Sequence, residues 1–302
     1  MLITSYLIHP YRPHLSFDIK KAKELSGYGK WILGSSILVF LTTQEDDIFA
    51  GKLLGITALG FYQMAYLISN LPATEITYVI SQVTFPVYSK IQDDVPKLRE
   101  AYLRILQFTA FISFPIAGLI FALAPDFTII FLGEKWMPMV PTIQVLVFAG
   151  LVRSIAATSG PIFYAVGKPR IDTKWQMIRL FVIAALIYPF TIKWGILGTS
   201  IVVFLSIFIS TIGFSFDVIK ILGCGIRDFI KTLVFPFTIG IIMAASILTI
   251  KINTNTTGIL GFLSLICIGL FILLGMTYLF DKYLNYRIRL LVRESINSFK
   301  MR

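Results

Sequence analysis

The sequence predicts an all-α protein, a polytopic bundle of transmembrane helices. Of its 302 residues, 56% are hydrophobic and only 14% are charged, whereas an ordinary soluble domain carries about 25% charged residues. The apolar residues form long runs, and about 20 consecutive apolar residues are enough for one helix to cross a bilayer. Eight segments meet this requirement: 29–49, 61–87, 104–124, 139–165, 175–193, 195–216, 230–250 and 257–280.

The net charge of +11 indicates topology and argues against nucleic acid as a partner. The basic residues lie in short clusters between the apolar runs, and Lys and Arg concentrate in the cytoplasmic connections of membrane proteins. When alternate connections are assigned to opposite sides, 22 of the 27 basic residues fall on one side and four on the other. This asymmetry predicts that both termini are cytoplasmic, and it leaves Arg153 inside a span.

Residue types that commonly support catalysis or metal binding are scarce. The two histidines, His9 and His14, argue against a His-rich metal site or a His-based catalytic triad. The two cysteines, Cys224 and Cys267, cannot form a disulfide framework. We therefore predict no catalytic residues, no metal and no cofactor, and a protein that is not an enzyme.

The hydropathy pattern divides the chain into four regions. Residues 1–28 form a cytoplasmic segment that is either partly an amphipathic helix on the membrane surface or a disordered leader. A six-helix lobe follows at 29–216, and two additional transmembrane helices follow at 217–280. The chain closes with a basic cytoplasmic tail at 281–302.

Two ionisable residues, Arg153 and Glu75, lie deep inside predicted spans, each at least 12 residues from the ends of its apolar run. A charge at this depth costs at least about 2.5 kcal/mol, so it needs a functional or structural reason. In one hypothesis, Arg153 binds an anionic group of a substrate and Glu75 responds to a coupling proton or ion. In the other, the two residues form an ion pair that holds two helices together.

The second span carries polar residues at spacings of three and four, which places most of them on one helix face. That face meets either a hydrated cavity or a neighbouring helix, because small hydroxyl side chains also support helix packing in membranes. The candidates for lining a cavity are Asn70, Thr74, Thr77, Tyr78, Ser81 and Gln82.

Two further charged groups lie near the ends of spans. Asp46 and Asp47, at the outer end of the first span, are either a solvated helix end or an ion site and outer gate. A cytoplasmic basic cluster either attracts a phosphate head group or only orients the protein; its last residue reaches the interface from inside the fifth span. The cluster consists of Lys168, Arg170, Lys174 and Arg179.

Six runs of the sequence carry a family resemblance. They are GKWILGSS at 29–36, DIFAGKLLG at 47–55, LGFYQMAY at 59–66, FPVYSKIQDD at 85–94, FLGEKW at 131–136 and AVGKP at 165–169. In this order they resemble the polysaccharide-transporter family of lipid-linked oligosaccharide flippases, whose superfamily also contains multidrug extruders and lipid II flippases. The resemblance covers about residues 11–222, with one departure at Glu45, where the family tends to have glycine.

The resemblance implies a fold of two six-helix lobes around a central cavity, of which this sequence matches the second lobe and two extra helices, numbers seven to fourteen. It implies that undecaprenyl-pyrophosphate-linked oligosaccharide is flipped across the bacterial inner membrane by alternating access, as in O-antigen, lipopolysaccharide or exopolysaccharide synthesis. The implied partners are the lipid-linked oligosaccharide, the bilayer, and a missing N-terminal lobe or a second copy.

Other functions stay open at this point. A drug or cation antiporter of the same superfamily would favour buried acids over Arg153. A membrane-bound glycosyl- or acyltransferase of the same pathway would need His or paired carboxylates in a connection. A non-transporting part of a split flippase is the structural alternative.

Overall fold

The computed structural model describes residues 19–254 and 258–284. Most of the predicted N-terminal segment, including His9 and His14, and most of the predicted basic tail lie outside the described residues. Within the described ranges the chain forms seven long helices and no strand. They are α1 (Ile19–Leu54), α2 (Ile56–Lys90), α3 (Val95–Phe127), α4 (Val140–Ala165), α5 (Pro169–Leu222), α6 (Ile226–Asn253) and α7 (Gly258–Leu284). A π-helical turn (Thr128–Leu132) and a 3-10 helix (Glu134–Met139) connect α3 to α4.

Among the described residues, five helical segments are long and apolar enough to cross a membrane: Val95–Leu132, Glu134–Ala165, Pro169–Leu222, Ile226–Asn253 and Gly258–Leu279. This confirms the all-α polytopic class. The first two helices, α1 and α2, have 36 and 35 residues, which is long enough to span. Because both carry more polar side chains than these five segments, the count of eight spans stays a prediction.

Helix α5 is a helical hairpin rather than one long rod. Its 54 residues would extend about 81 Å as a continuous helix, but Gly195 has φ 60° and ψ −140° and reverses the chain. The two arms contact each other along their length. Near the turn, the hydroxyls of Thr191 and Thr199 are 2.9 Å apart, and at the far ends Trp175 Nε1 donates to Asp217 Oδ2 at 2.6 Å. The fifth and sixth predicted spans are therefore the two arms.

The connection between α2 and α3 is fixed by a helix cap. Asp94 accepts a hydrogen bond from the backbone N–H of Lys97 at 3.1 Å and forms an ion pair with its ammonium group at 2.8 Å. These interactions with Lys97 lower the pKa of the Asp94 carboxyl. A carboxylate at this position satisfies a free N–H group of the first helical turn.

Helices α6 and α7 pack mainly against α3, and α6 contacts α3 through glycines. A Cβ atom at Gly240 would lie 2.8 Å from the carbonyl oxygen of Phe114, and one at Gly118 would lie 2.6 Å from the carbonyl oxygen of Gly240. Small residues allow such close backbone approach between membrane helices. An ion pair between Lys251 and Asp126 joins the same two helices near their ends.

We expect Gly240→Val to lower the free energy of unfolding by about 1–3 kcal/mol, because the added side chain must push α6 away from α3. The measurement is the apparent Tm of the purified protein in detergent. Gly275→Val is the matched control, since a Cβ atom at Gly275 meets no atom within 4 Å. An equal Tm for the two variants would contradict the proposed close contact.

Candidate functional site

A cavity of about 620 Å³ lies between α1, α2, α4 and the two arms of α5. Three charged side chains line it, Arg153, Asp172 and Arg179, and small residues of α4 form much of one wall. Polar groups surround the charges. The polar lining residues are Ser35, Ser36, Thr43, Thr77, Ser81, Tyr164, Gln176, Ser210 and Thr211. A cavity with this lining can hold a hydrated, anionic group inside a helical membrane protein.

A second recess of about 510 Å³ is lined by α2 and Arg153. It shares Thr77, Ser81 and Arg153 with the cavity, so these three residues lie where the two spaces meet. The rest of its lining is polar as well. These further residues are Thr74, Tyr78 and Gln82. Five of the six candidate cavity-lining residues therefore lie along one of these two spaces.

Asn70, the sixth, is 2% exposed and packs between α2 and α4. Its Nδ2 donates to the carbonyl oxygen of Tyr66 at 3.3 Å. A Cβ atom at Gly150 of α4 would lie 3.2 Å from Asn70 Oδ1, so the glycine is what lets the two helices approach. Asn70 therefore meets a neighbouring helix, and the prediction that it lines a cavity is wrong.

Arg153 is half-buried, and its guanidinium carbon lies 5.5 Å from the ring centroid of Tyr66. Within the described part of the chain, no hydrogen bond or ion pair occupies its N–H groups. A guanidinium stacked on an aromatic ring keeps its in-plane donors available for a planar anionic partner. Arg153 is therefore held in place with its donors free towards both spaces.

Glu75 is exposed and lines neither space. It follows the buried Ala73 by two residues, which rotates it about 200° around α2, away from α4 and Arg153. In the residues that the structure describes, Glu75 forms no ion pair with Arg153. The hypothesis that Glu75 and Arg153 form an ion pair is therefore wrong.

Arg179 lines the cavity and is only 9% exposed. Its Nη2 donates to the carbonyl oxygen of Thr42 at 3.3 Å, and its Nε has no hydrogen-bond partner among the described residues. The prediction that Arg179 reaches the interface with the basic cluster is therefore wrong. The reason is helical spacing, because Arg179 shares a face of α5 with Asp172 and Gln176, and that face points into the bundle.

The rest of the basic cluster lies on the surface of the protein. Lys168, Arg170 and Lys174 are exposed. The guanidinium carbon of Arg170 lies 4.7 Å from the ring centroid of Trp31, and Lys174 Nζ lies 4.5 Å from that of Trp175. Tryptophan side chains with basic neighbours are typical of a membrane–water interface.

Asp172, which the sequence pattern did not single out, is the centre of a hydrogen-bond network. The hydroxyl of Tyr164 donates to its Oδ2 at 2.7 Å, and the hydroxyl of Ser35 donates to the same oxygen. Tyr28 donates to the carbonyl oxygen of Tyr164 at 2.9 Å. The signal that could have found Asp172 is its spacing of four and seven residues from Gln176 and Arg179.

Asp46 and Asp47 fasten α1 to α2 instead of lining a cavity. Tyr62 donates to Asp46 Oδ2 at 2.7 Å, and Gln63 Nε2 donates to Asp47 Oδ2 at 3.1 Å. Asp46 is 4% exposed, so it is not a solvated helix end. Over residues 19–254 and 258–284, no group of three or more His, Cys, Asp or Glu side chains is placed to hold a metal ion.

This helical bundle is similar in fold to a solved structure. The solved structure "Lipid II flippase MurJ, inward closed conformation" matches the chain with a TM-score of 0.70 at 17% sequence identity. The match covers 93% of this chain and 59% of that structure. At this identity the likeness establishes the fold.

The sequence comparisons point to one family. Residues 1–141 match the family described as "Polysaccharide biosynthesis protein". "Lipopolysaccharide biosynthesis protein WzxC" of Escherichia coli (strain K12) is 30% identical over 228 residues, 75% of this chain and 46% of the relative. An "Uncharacterized membrane protein in cps region" of Klebsiella pneumoniae is 28% identical over 83% of this chain and 52% of its own length. These matches confirm the predicted resemblance, and the chain spans about half the length of both relatives.

Proposed function

We propose that this chain forms one half of a flippase for undecaprenyl-pyrophosphate-linked oligosaccharides. The single observation that carries the proposal is Arg153, a guanidinium with free donors at the junction of two polar spaces. Guanidinium groups bind phosphate oxygens through two parallel hydrogen bonds. The relatives named for polysaccharide and lipopolysaccharide biosynthesis support this class of substrate.

The cavity lowers the energetic barrier to moving a sugar through a membrane. A sugar hydroxyl that loses its hydrogen bonds in hydrocarbon costs roughly 4–8 kcal/mol. The hydroxyl and amide side chains of the cavity wall replace those lost hydrogen bonds, while the lipid tail stays in the bilayer. Alternating access then turns the loaded cavity from one side of the membrane to the other, as the rocking of two lobes does in other transporters.

In this proposal the predicted six-helix lobe holds the substrate. Every lining residue of the large cavity lies within the six-helix lobe at 29–216. The two additional helices at 217–280 pack on α3, outside this cavity. We propose that an N-terminal lobe or a second copy of the chain completes the transport pathway. Both termini are cytoplasmic, in a bacterial inner membrane, and no covalent chemistry is needed.

A drug or cation antiporter fits the cavity less well. The charged lining of the cavity has two guanidinium groups and one carboxylate. An organic cation would therefore meet a wall with a net positive charge. The same positive charge would attract an anionic head group. The charges of the cavity therefore favour the flippase over the antiporter.

The test reconstitutes the chain in liposomes with a fluorescent undecaprenyl-pyrophosphate-linked sugar and measures both binding and leaflet exchange. We expect saturable binding, and exchange faster than in protein-free liposomes; ethidium, a cationic drug probe, should not compete. If the chain binds the lipid without exchanging it, the half-transporter hypothesis predicts that the second lobe is needed. Absence of both binding and exchange would contradict the proposed function, and competition by ethidium would favour the antiporter.

A further inference from the structure

We propose that the Asp172 end of the cavity is a sugar subsite that recognises a neutral sugar next to the pyrophosphate and rejects an acidic one. This inference rests on the proposed function, since it assigns the sugar-binding end of the same cavity. Its centre is the carboxylate of Asp172, flanked by the hydroxyls of Ser35, Ser36 and Tyr164.

One oxygen of this carboxylate is free to bind a ligand. The hydroxyls of Ser35 and Tyr164 both donate to Asp172 Oδ2. In the part of the chain that the structure describes, Oδ1 accepts no hydrogen bond, although Asp172 is only 6% exposed. Asp172 lines the cavity, so a hydrogen-bond donor on a ligand in the cavity can reach the oxygen that no side chain uses. Sugar hydroxyls and acetamido N–H groups are such donors, and phosphate oxygens are not.

The cations and the carboxylate lie at different positions along the cavity. Arg179 follows Asp172 by seven residues on α5, so about 10 Å of helix separates them. On α4, Arg153 precedes Tyr164 by 11 residues, which corresponds to about 16 Å. The two arginines attract a pyrophosphate and Asp172 repels it, so the charges set the direction in which a head group lies. The sugar attached to the phosphate is then directed towards Asp172.

Between these two ends, α4 leaves space for a sugar ring. The wall there consists of small residues, with Ala156, Ala157, Gly160 and Pro161 lining the cavity. A Cβ atom at Gly160 would meet no atom within 4 Å. Small side chains therefore line the stretch of α4 that joins the arginines to Asp172.

The ligand class follows from the charge of Asp172. A neutral hexose or N-acetylhexosamine donates hydrogen bonds to Oδ1 without electrostatic cost. A uronic acid at the same place would bring a second carboxylate close to Asp172, and like charges in a cavity of low dielectric repel each other strongly. The subsite thus selects against an acidic sugar at the position next to the pyrophosphate.

The test compares Kd values of three probes for the chain in lipid nanodiscs: farnesyl diphosphate, farnesyl-diphosphate-linked glucose and farnesyl-diphosphate-linked glucuronic acid. In the unmodified chain we expect the glucose-bearing probe to bind at least about tenfold more tightly than the probe that bears glucuronic acid. Asp172→Asn should reduce this ratio to about twofold or less and should not weaken the binding of farnesyl diphosphate, because it removes a carboxylate that repels the diphosphate. Asp217→Asn is the matched control, because its carboxylate accepts from Trp175 on the same hairpin but does not line the cavity.

Three outcomes would overturn the sugar subsite: equal binding of the two sugars, an unchanged ratio in Asp172→Asn, or equal weakening of all three probes. Ser35→Ala provides a second variant if Asp172→Asn does not fold. It removes one donor from Oδ2 and should alter only the two sugar-bearing probes. The proposed function fails separately if farnesyl diphosphate does not bind or binds equally well to Arg153→Ala.

Discussion

Replacing Arg153 by alanine is expected to slow the leaflet exchange of an undecaprenyl-pyrophosphate-linked sugar by at least about tenfold. The variant removes a guanidinium whose donors are free at the junction of the two polar spaces. A hydrogen bond to a charged group is worth about 1.5–3 kcal/mol, which corresponds to about a 10- to 100-fold effect on binding. Because Arg153 forms no ion pair or hydrogen bond within residues 19–254 or 258–284, its removal breaks no such contact there and should preserve the fold.

The matched control for this prediction is Arg227→Ala. Arg227 is an exposed arginine in the first turn of α6, outside both polar spaces. Its removal changes the net charge by the same amount and should leave the exchange rate within twofold of the unmodified protein. Equal exchange rates in Arg153→Ala and the unmodified protein would show that Arg153 does not hold the head group.

Gly160→Leu should block the cavity while leaving the fold intact. A Cβ atom at this position meets no atom within 4 Å, and Gly160 lines the cavity, so a leucine side chain grows into the open space. Leucine also favours a helix over glycine by up to about 1 kcal/mol, so stability should be equal or higher. We expect exchange to fall by at least about tenfold, with an unchanged or raised apparent Tm.

Gly160→Ala serves as the size control, because one methyl group occupies little of a cavity of about 620 Å³. Its exchange rate should stay within about twofold of the unmodified protein. Normal exchange in Gly160→Leu would mean that the substrate travels elsewhere. The recess along α2 would then be the candidate route.

The fold was predictable largely because apolar length determines where membrane helices lie. The hairpin in α5 illustrates this, since the apolar runs 175–193 and 195–216 predicted two spans, and Gly195, the first residue of the second run, reverses the chain. The predicted interfacial position of Arg179 failed for the opposite reason. Hydropathy shows that a charge lies in a span but does not show which neighbours its helix face meets.

The site was predictable only in part, because spacing identifies a face without identifying its partner. Thr77 and Ser81 share a face that does reach the cavity, whereas Asn70 on the same face packs on Gly150. Glu75 and Arg153 lie at similar depths in their predicted spans. Glu75, however, lies on the side of α2 that faces away from Arg153. Asp172 was not predicted as a site residue because it lies among basic residues at the start of a helix, where acidic residues are common.

The most direct test of the central claim is a solid-state NMR measurement of dipolar coupling between arginine side-chain ¹⁵N and lipid ³¹P. The sample is the chain in liposomes with undecaprenyl pyrophosphate linked to a sugar. We predict a clear coupling that is strongly reduced in Arg153→Gln, because the guanidinium contacts the pyrophosphate. A coupling of equal strength in Arg153→Gln, or no coupling in the unmodified protein, would contradict a head-group site at Arg153.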